Sequence, residues 1–448
     1  MALRIERSPN ADFLALGPEG TARRLRSLVP GGESVQEVVA EIVSRVRDQG
    51  DSAILDYTRR LDTAGVEPPP LLVSEAELDA AIKKIPLDVV AGLQVAIRNV
   101  AETAQAGLGV DEQLTLAQGQ RIVIRELPVR AAAVYVPGGR APYPSTVVMG
   151  VVTARSAGVL DVCVCAPPDR SGDVNPLILG TCRLLGVQTV YRMGGAQAVA
   201  ALAYGSETVG RVDVVVGPGN LYVQEAKRQL SGVVGIDGFA GPSDLAVVFT
   251  ESSDIHLVAL DLAAQAEHGA DSMVLGISPS APALDALADE LARIAADHQS
   301  LPDAVCVLVQ TPDVRGAVAL ANAFAPEHLQ LIGAEAEQLA SLVDAAGCLF
   351  VGAASATAFG DYVAGSNHIL PTTGAARFSS GLAARHFRRR MCEVHVGAGA
   401  EPLARAGVPL ALAEGFKLHA ESMQARAWTP ASSTQAPATV SDGPLGQN

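Results

Sequence analysis

Two periodicities of apolar and polar residues divide the chain. From 34 to 105 the apolar positions recur at helical spacing. Val35, Val38, Val39, Ile42, Val43 and Val46 make one stripe, with Ser34 and Glu37 as a capping box and Gly50 as the stop. Ser74 and Glu77 repeat the capping signal ahead of Leu78 and Ile82, and Val89, Leu93, Ile97 and Val100 form a further stripe over 88–102. At Arg121 the rhythm changes to short β-rich runs, RIVIRELPV and AAAVYV. Strands are then expected at 162–166, 189–193 and 212–216, with helices at 196–203 and 222–230 between them. A second alternating block opens with LAVVFT at Leu245 and continues with strands at 273–277, 304–309 and 348–351.

Strands separated by helices of this length predict parallel sheets covered on both faces. The expected fold class is α/β, with two doubly wound, incomplete Rossmann-like sheet domains plus small helical N- and C-terminal segments. The boundaries read as an N-terminal segment over 1–33, a first α/β domain over 34–130 and 238–378, and a second over 131–237. An arginine-rich, mainly helical segment follows over 379–428, and a Pro-, Ser- and Thr-rich tail expected to be disordered over 429–448. Two blocks of similar size suggest a duplicated unit, without a residue-level repeat to prove it.

Composition narrows the partners. The 448 residues carry a formal net charge of −15, which argues against nucleic acid or an anionic membrane as the main partner. The RHFRRR cluster at 385–390 is the local exception and reads as surface. With 49% apolar and 4% aromatic residues, the core must be built from Ala, Val, Leu and Ile. The six cysteines include no Cys-x-x-Cys pair and mostly sit in apolar runs such as VCVCA, as buried thiols of a reducing compartment do. The start, MALRIERSPNADF, lacks the apolar core of a signal peptide, and no apolar run approaches the ~18 residues of a spanning helix. A cytoplasmic location is expected.

Candidate chemistry lies in two kinds of place. Glycine turns follow several strands: Gly138-Gly139, Gly194-Gly195 and Gly217-Pro218-Gly219-Asn220. Glycine there admits a ligand close to the backbone, although no G-x-G-x-x-G fingerprint is present. Polar groups capable of proton or metal chemistry lie further on. Glu327 and His328 follow Pro326 as an adjacent carboxylate and imidazole, which fits proton transfer and equally fits the acidic first turn of a helix. Gln265 with His268, Asp361 with His368, and Glu414 with His419 supply an N/O donor set suited to zinc or another first-row divalent ion. His256, His298, His386 and His395 lack such company.

The blocks AAAVYVPGGRAPYPST, MGGAQAVAALAYG, VGPGNLYVQEAKRQL, GIDGFAGPSD, AAQAEHG, APEHLQL, GDYVAGSNHILPT, ARFSSGLAARHF and EGFKLHAES occur in this order over nearly the whole chain. Together they resemble the histidinol dehydrogenase family. The resemblance implies zinc-dependent oxidation of L-histidinol to L-histidine through the aldehyde, with two NAD molecules. It implies Gln265, His268, Asp361 and His419 as zinc ligands, and Glu327 and His328 as the catalytic pair. Ser243, His368 and Glu414 match substrate contacts alongside those residues, and Tyr135, Gln197 and Asn220 match NAD contacts. It further implies a homodimer whose C-terminal segment, with Glu414 and His419, completes the partner's site. Asp244 stands where the family usually has Glu, Phe239 replaces a commonly smaller or different residue, and VVTARSAGV lacks a usual proline. Three alternatives stand beside this reading: a related dehydrogenase of another polar alcohol, a zinc hydrolase with Glu327 activating water, and a silent scaffold.

Overall fold

Apolar runs ended by glycine turns assemble into two parallel sheets. The computed structural model describes residues 3–29, 35–138, 141–238, 241–298 and 300–427. Ser34, Phe239 and the tail expected to be disordered lie outside them. The chain packs as two compact units, Met1–Leu108 with Pro128–Arg388, and Gly109–Leu127 with Arg389–Asn448.

The first unit holds both parallel sheets. In the five-stranded sheet the order is Val190–Arg192, Asp161–Ala166, Ala131–Tyr135, Val214–Val216, Gly235–Ile236. The earliest strand in sequence therefore sits in the middle, and the chain winds outward first to one side and then to the other. The six-stranded sheet repeats this winding with Val305–Gln310, Met273–Ser278, Asp244–Phe249, His328–Ile332 and Cys348–Val351, and adds Arg4–Ser8 beyond Val305–Gln310. All pairings in both sheets are parallel. The shared order is the topological counterpart of the similarity between the two alternating blocks.

Continuous burial explains why these strands read as apolar runs. Every residue of Ala131–Tyr135, Asp244–Phe249 and Met273–Ser278 is buried. The helix Gln36–Gln49 buries Val39, Ile42, Val43 and Val46 against Tyr135, Cys163 and Met193, while Val38 is left half exposed. Leu78, Leu93 and Val100, from the helices Glu75–Ile82 and Leu87–Ala106, join Ala132, Val134 and Val164 on the other face. The helical stretch after residue 34 thus covers the five-stranded sheet, where the sequence pattern had grouped it with the other one. The Ser74–Glu77 capping box forms, with Ser74 Oγ accepting from Glu77 N at 3.3 Å and Glu77 Oε2 from Ser74 N at 2.9 Å. Such a cap is worth about 1 kcal/mol.

Four cysteines (Cys163, Cys165, Cys182, Cys306) are buried, Cys348 is half-buried, and Cys392 is exposed. In the second unit Glu112–Thr115, Arg121–Pro128 and Arg388–His395 form a three-stranded sheet, and the helices Ala400–Ala413 and Lys417–Ala427 pack on each other. The arginine cluster therefore runs into a strand, where a helical segment was expected. Arg390 pairs with Glu126 there. No described helix is long and apolar enough to cross a membrane.

Candidate active site

Glu327 and His328 stand where a helix ends, not where one begins. The helix Val314–Phe324 closes at Ala325 in the left-handed region (φ 50°, ψ 66°), and His328 opens the strand His328–Ile332. Proline explains the switch: Pro326 cannot continue the helix and steers the chain into extended backbone. His328 is then locked by register between Leu245 and Cys348. Both members of the pair are buried, at 6% and 3% exposure, yet both face a cavity of about 450 Å³.

The cavity lies at opposite ends of the two sheets' strands. Ser243, Ser272, Glu327 and His328 mark the amino ends of the six-stranded sheet, whereas Tyr135, Gly138, Gly219 and Asn220 come from turns at the carboxyl ends of the five-stranded one. The latter turns follow Ala131–Tyr135 and Val214–Val216, neighbouring strands from which the chain departs in opposite directions. Open α/β sheets bind nucleotides at such a switch point. A second cavity of about 660 Å³ adjoins the same turns and is lined by Tyr135, Gln197 and Asn220. Gly217 makes its turn possible: at φ +118° an added Cβ would lie 2.0 Å from the Tyr135 carbonyl oxygen. Asn220 caps the helix Leu221–Leu230, accepting from Tyr222 N and Val223 N. Tyr135 is buried, and its hydroxyl accepts the Gly195 N–H at 3.1 Å.

Around the pair the charges are dense. His328 Nδ1 lies 3.7 Å from Glu327 Oε2, and Nε2 lies 3.5 Å from Asp361 Oδ1. Burial pushes the Glu327 carboxyl up to about 8, opposed by His328. Burial alone would lower His328, but Glu327, Asp361 and Asp244 outweigh it and raise the imidazole to about 9. Asp361, in the short helix Thr357–Tyr362, is pulled upward by burial yet held below the usual carboxylate range by His328, His368 and His268. Burial holds His268 and His368 below the usual imidazole range. His368 is fixed by Thr146 Oγ1 at 3.1 Å and by the Asp361 carbonyl at 2.8 Å.

Of the expected metal ligands, His268 and Asp361 line the cavity. Gln265 lies on the last turn of the helix Ile255–Ala266, 2% exposed, with its Nε2 buried and unpartnered. Glu414 and His419 belong to the second unit, where both are exposed and the His419 ring lies 5.2 Å from that of Phe416. Among the described residues no group of three or more His, Cys, Asp or Glu is placed to hold a metal ion. The donors of the first unit are nonetheless of the right chemical kind for one: an amide oxygen, an imidazole and a carboxylate.

Sequence reasoning missed Arg26 and Asp244 as partners of this centre. Asp244 Oδ1 accepts the Glu327 N–H at 2.7 Å, and Glu327 Oε2 accepts the Asp244 N–H at 3.1 Å. Arg26 Nη1 donates to Asp244 Oδ2 at 2.5 Å across 218 positions of sequence.

Two doubly wound sheets enclosing a buried acid–imidazole centre beside a switch-point cavity define an α/β enzyme. The histidinol dehydrogenase family model matches residues 30–427. A histidinol dehydrogenase of Parasynechococcus marenigrum is 42% identical over 402 residues, 88% of this chain and 91% of the relative. One from Rhodospirillum rubrum is 41% identical over 440 residues, 95% and 99% of the two chains. The crystal structure of histidinol dehydrogenase from Elizabethkingia anophelis superposes with a TM-score of 0.86 at 29% identity, covering 95% of this chain and 98% of that one. The chain belongs to the histidinol dehydrogenase family, NAD-dependent oxidoreductases that oxidise histidinol in histidine biosynthesis.

Proposed function

We propose that this enzyme converts L-histidinol to L-histidine through L-histidinaldehyde, in two oxidations that each consume one NAD. The observation that carries this is the buried Glu327–His328 pair facing a cavity bounded on its far side by the switch-point turns. Oxidation of an alcohol requires a base at the hydroxyl, and His328 fills that role. The aldehyde must next be hydrated, and Glu327, on the adjacent backbone position, draws the proton from the attacking water. His328 then takes the proton of the hydrate as the second hydride leaves. Tyr135, Gln197 and Asn220 would hold NAD, which would supply the hydride acceptor.

Gln265, His268 and Asp361 would hold a zinc ion, with His419 as the remaining ligand. Zinc bound there would orient the substrate's amino and imidazole nitrogens and, by offsetting the Asp361 charge, lower the His328 pKa toward the base form. Ser243, His368 and Glu414 complete the substrate contacts. Family resemblance supports a homodimer in which Glu414 and His419 come from the partner subunit, working in the cytoplasm on a small molecule without nucleic acid or membrane.

The test is stoichiometric. Purified protein with L-histidinol and NAD should form two NADH per histidinol consumed. One NADH would reduce the enzyme to an alcohol dehydrogenase, and none would end the proposal.

A further inference from the structure

We infer that Arg26, in the N-terminal helix Asn10–Arg26, is a positioning residue that acts on the reaction through Glu327, with Asp244 as its intermediary. The guanidinium makes four contacts, one to Asp244 and three to the adjoining residues Phe324 and Ala325. Its Nη1 donates to Asp244 Oδ2 at 2.5 Å. Its Nη2 donates to the carbonyls of Phe324 and Ala325, at 2.7 and 3.2 Å. Its Cζ lies 3.5 Å from the centroid of the Phe324 ring.

Each contact answers a local difficulty. Ala325 sits at φ 50°, in the left-handed region that a residue with a Cβ rarely adopts. The Phe324 and Ala325 carbonyls lie at a helix end, where carbonyls lack intrahelical partners. A cation donating to both holds the reversal that turns the chain toward Glu327. The Asp244 side of the clamp acts directly on Glu327. One carboxylate oxygen takes Arg26, the other takes the Glu327 N–H, and the Asp244 N–H in turn holds Glu327 Oε2. Both the backbone and the carboxylate of Glu327 are thus fixed from Asp244, which is itself 1% exposed. Asp244 is thus met by an arginine reaching in from a helix outside the sheet. Arg26 also lies ahead of the segment matched by the family model.

The inference rests on the proposed role of Glu327, and the experiment separates the two. Arg26→Gln, Arg26→Lys, Glu327→Gln and the Arg26→Gln/Glu327→Gln double variant are compared in oxidation of L-histidinaldehyde, with the wild-type enzyme as reference. Misplacing a reacting group by about 1 Å costs on the order of 10- to 100-fold. Arg26→Gln is therefore expected to lower aldehyde oxidation by at least about 10-fold in the wild-type background and by under about 2-fold when Glu327 is already Gln. Arg26→Lys, which restores the charge, should recover part of the loss. The same fold-loss in both backgrounds would overturn the inference, as would wild-type activity of Arg26→Gln. If Arg26→Gln does not fold, the Arg26→Lys and Asp244→Asn variants are carried through the same cycle and judged by the same ratio. A wild-type enzyme inert toward histidinol would instead refute the proposed reaction, and a Glu327→Gln enzyme at full rate would refute the role given to Glu327.

Discussion

Replacing Lys227 by Met exposes how the Gly217 turn is held. Lys227 is fully buried (0% exposed), and its ammonium donates to Asp237 Oδ1 at 2.6 Å and to the Gly217 carbonyl at 2.5 Å. Asp237 answers with its other oxygen, which accepts the Gly217 N–H at 2.7 Å. The residue that bends the chain against Tyr135 is thereby pinned on both its N–H and its carbonyl. Lys227→Met keeps the volume and the apolar stem but strands the Asp237 carboxylate in the interior. Breaking a buried pair from one side costs about 3–5 kcal/mol, because the surviving charge is left uncompensated. Urea unfolding should register that loss as a lower midpoint at unchanged slope. The surviving native enzyme should bind NAD more weakly, with KM rising about 10-fold for about 1.4 kcal/mol of lost turn geometry. Lys227→Met/Asp237→Asn removes both charges and keeps an acceptor for the Gly217 N–H, so its cost should fall short of the summed single losses by at least about 1 kcal/mol. A Lys227→Met enzyme within about 1 kcal/mol of wild type, with normal KM for NAD, would refute the reasoning.

Other outcomes follow from the same geometry. Glu327→Gln should slow chiefly the aldehyde step and His328→Asn both steps, read by following NADH separately from histidinol and histidinaldehyde. Prolonged chelation should abolish turnover and added zinc restore it, with circular dichroism checking that the fold survives; full activity of metal-free protein would end the metal assignment. Asp62, whose Oδ2 is buried without a partner at the larger cavity, is raised by burial from 3.8 to about 6. Between those values the native state binds the extra proton, so Asp62 costs stability as pH rises from about 4 to 6. Asp62→Asn should remove that loss and gain roughly 2 kcal/mol at pH 7 without NAD, an upper figure because the group is partly solvated. An unchanged pH dependence of unfolding would count against it.

How much of this was written in the one-dimensional pattern depends on what holds each element. Asp244–Phe249 and Met273–Ser278 announce themselves because buried parallel strands must be apolar along their length. Arg4–Ser8 does not, since RIERS is polar and becomes a strand only by pairing with Val305–Gln310. Arg388–His395 is likewise a charged strand in the small three-stranded sheet, and its arginines suggested surface or helix. Glu327–His328 was visible as a chemical pair, but a five-residue run such as HLQLI does not declare its partners, and only its register between two strands decides for strand. Gln265, His268 and Asp361 could be named from motif resemblance. Arg26 and Asp244 could not, because nothing local signals a contact across 218 positions.

The edge position of Arg4–Ser8 sets an order of events during synthesis. Its hydrogen-bonding partner is Val305–Gln310, so Arg4–Ser8 has no place to dock until some 300 residues more have been made. At a translation rate of about 5–20 residues per second, that wait lasts roughly 15–60 s. The five-stranded sheet lies wholly within 131–236 and can close in the meantime. The helix Asn10–Arg26 packs on Val314–Phe324 and is held to the same schedule. The clamp on Glu327 therefore cannot close until residues 324–327 have emerged, some 300 residues after Arg26.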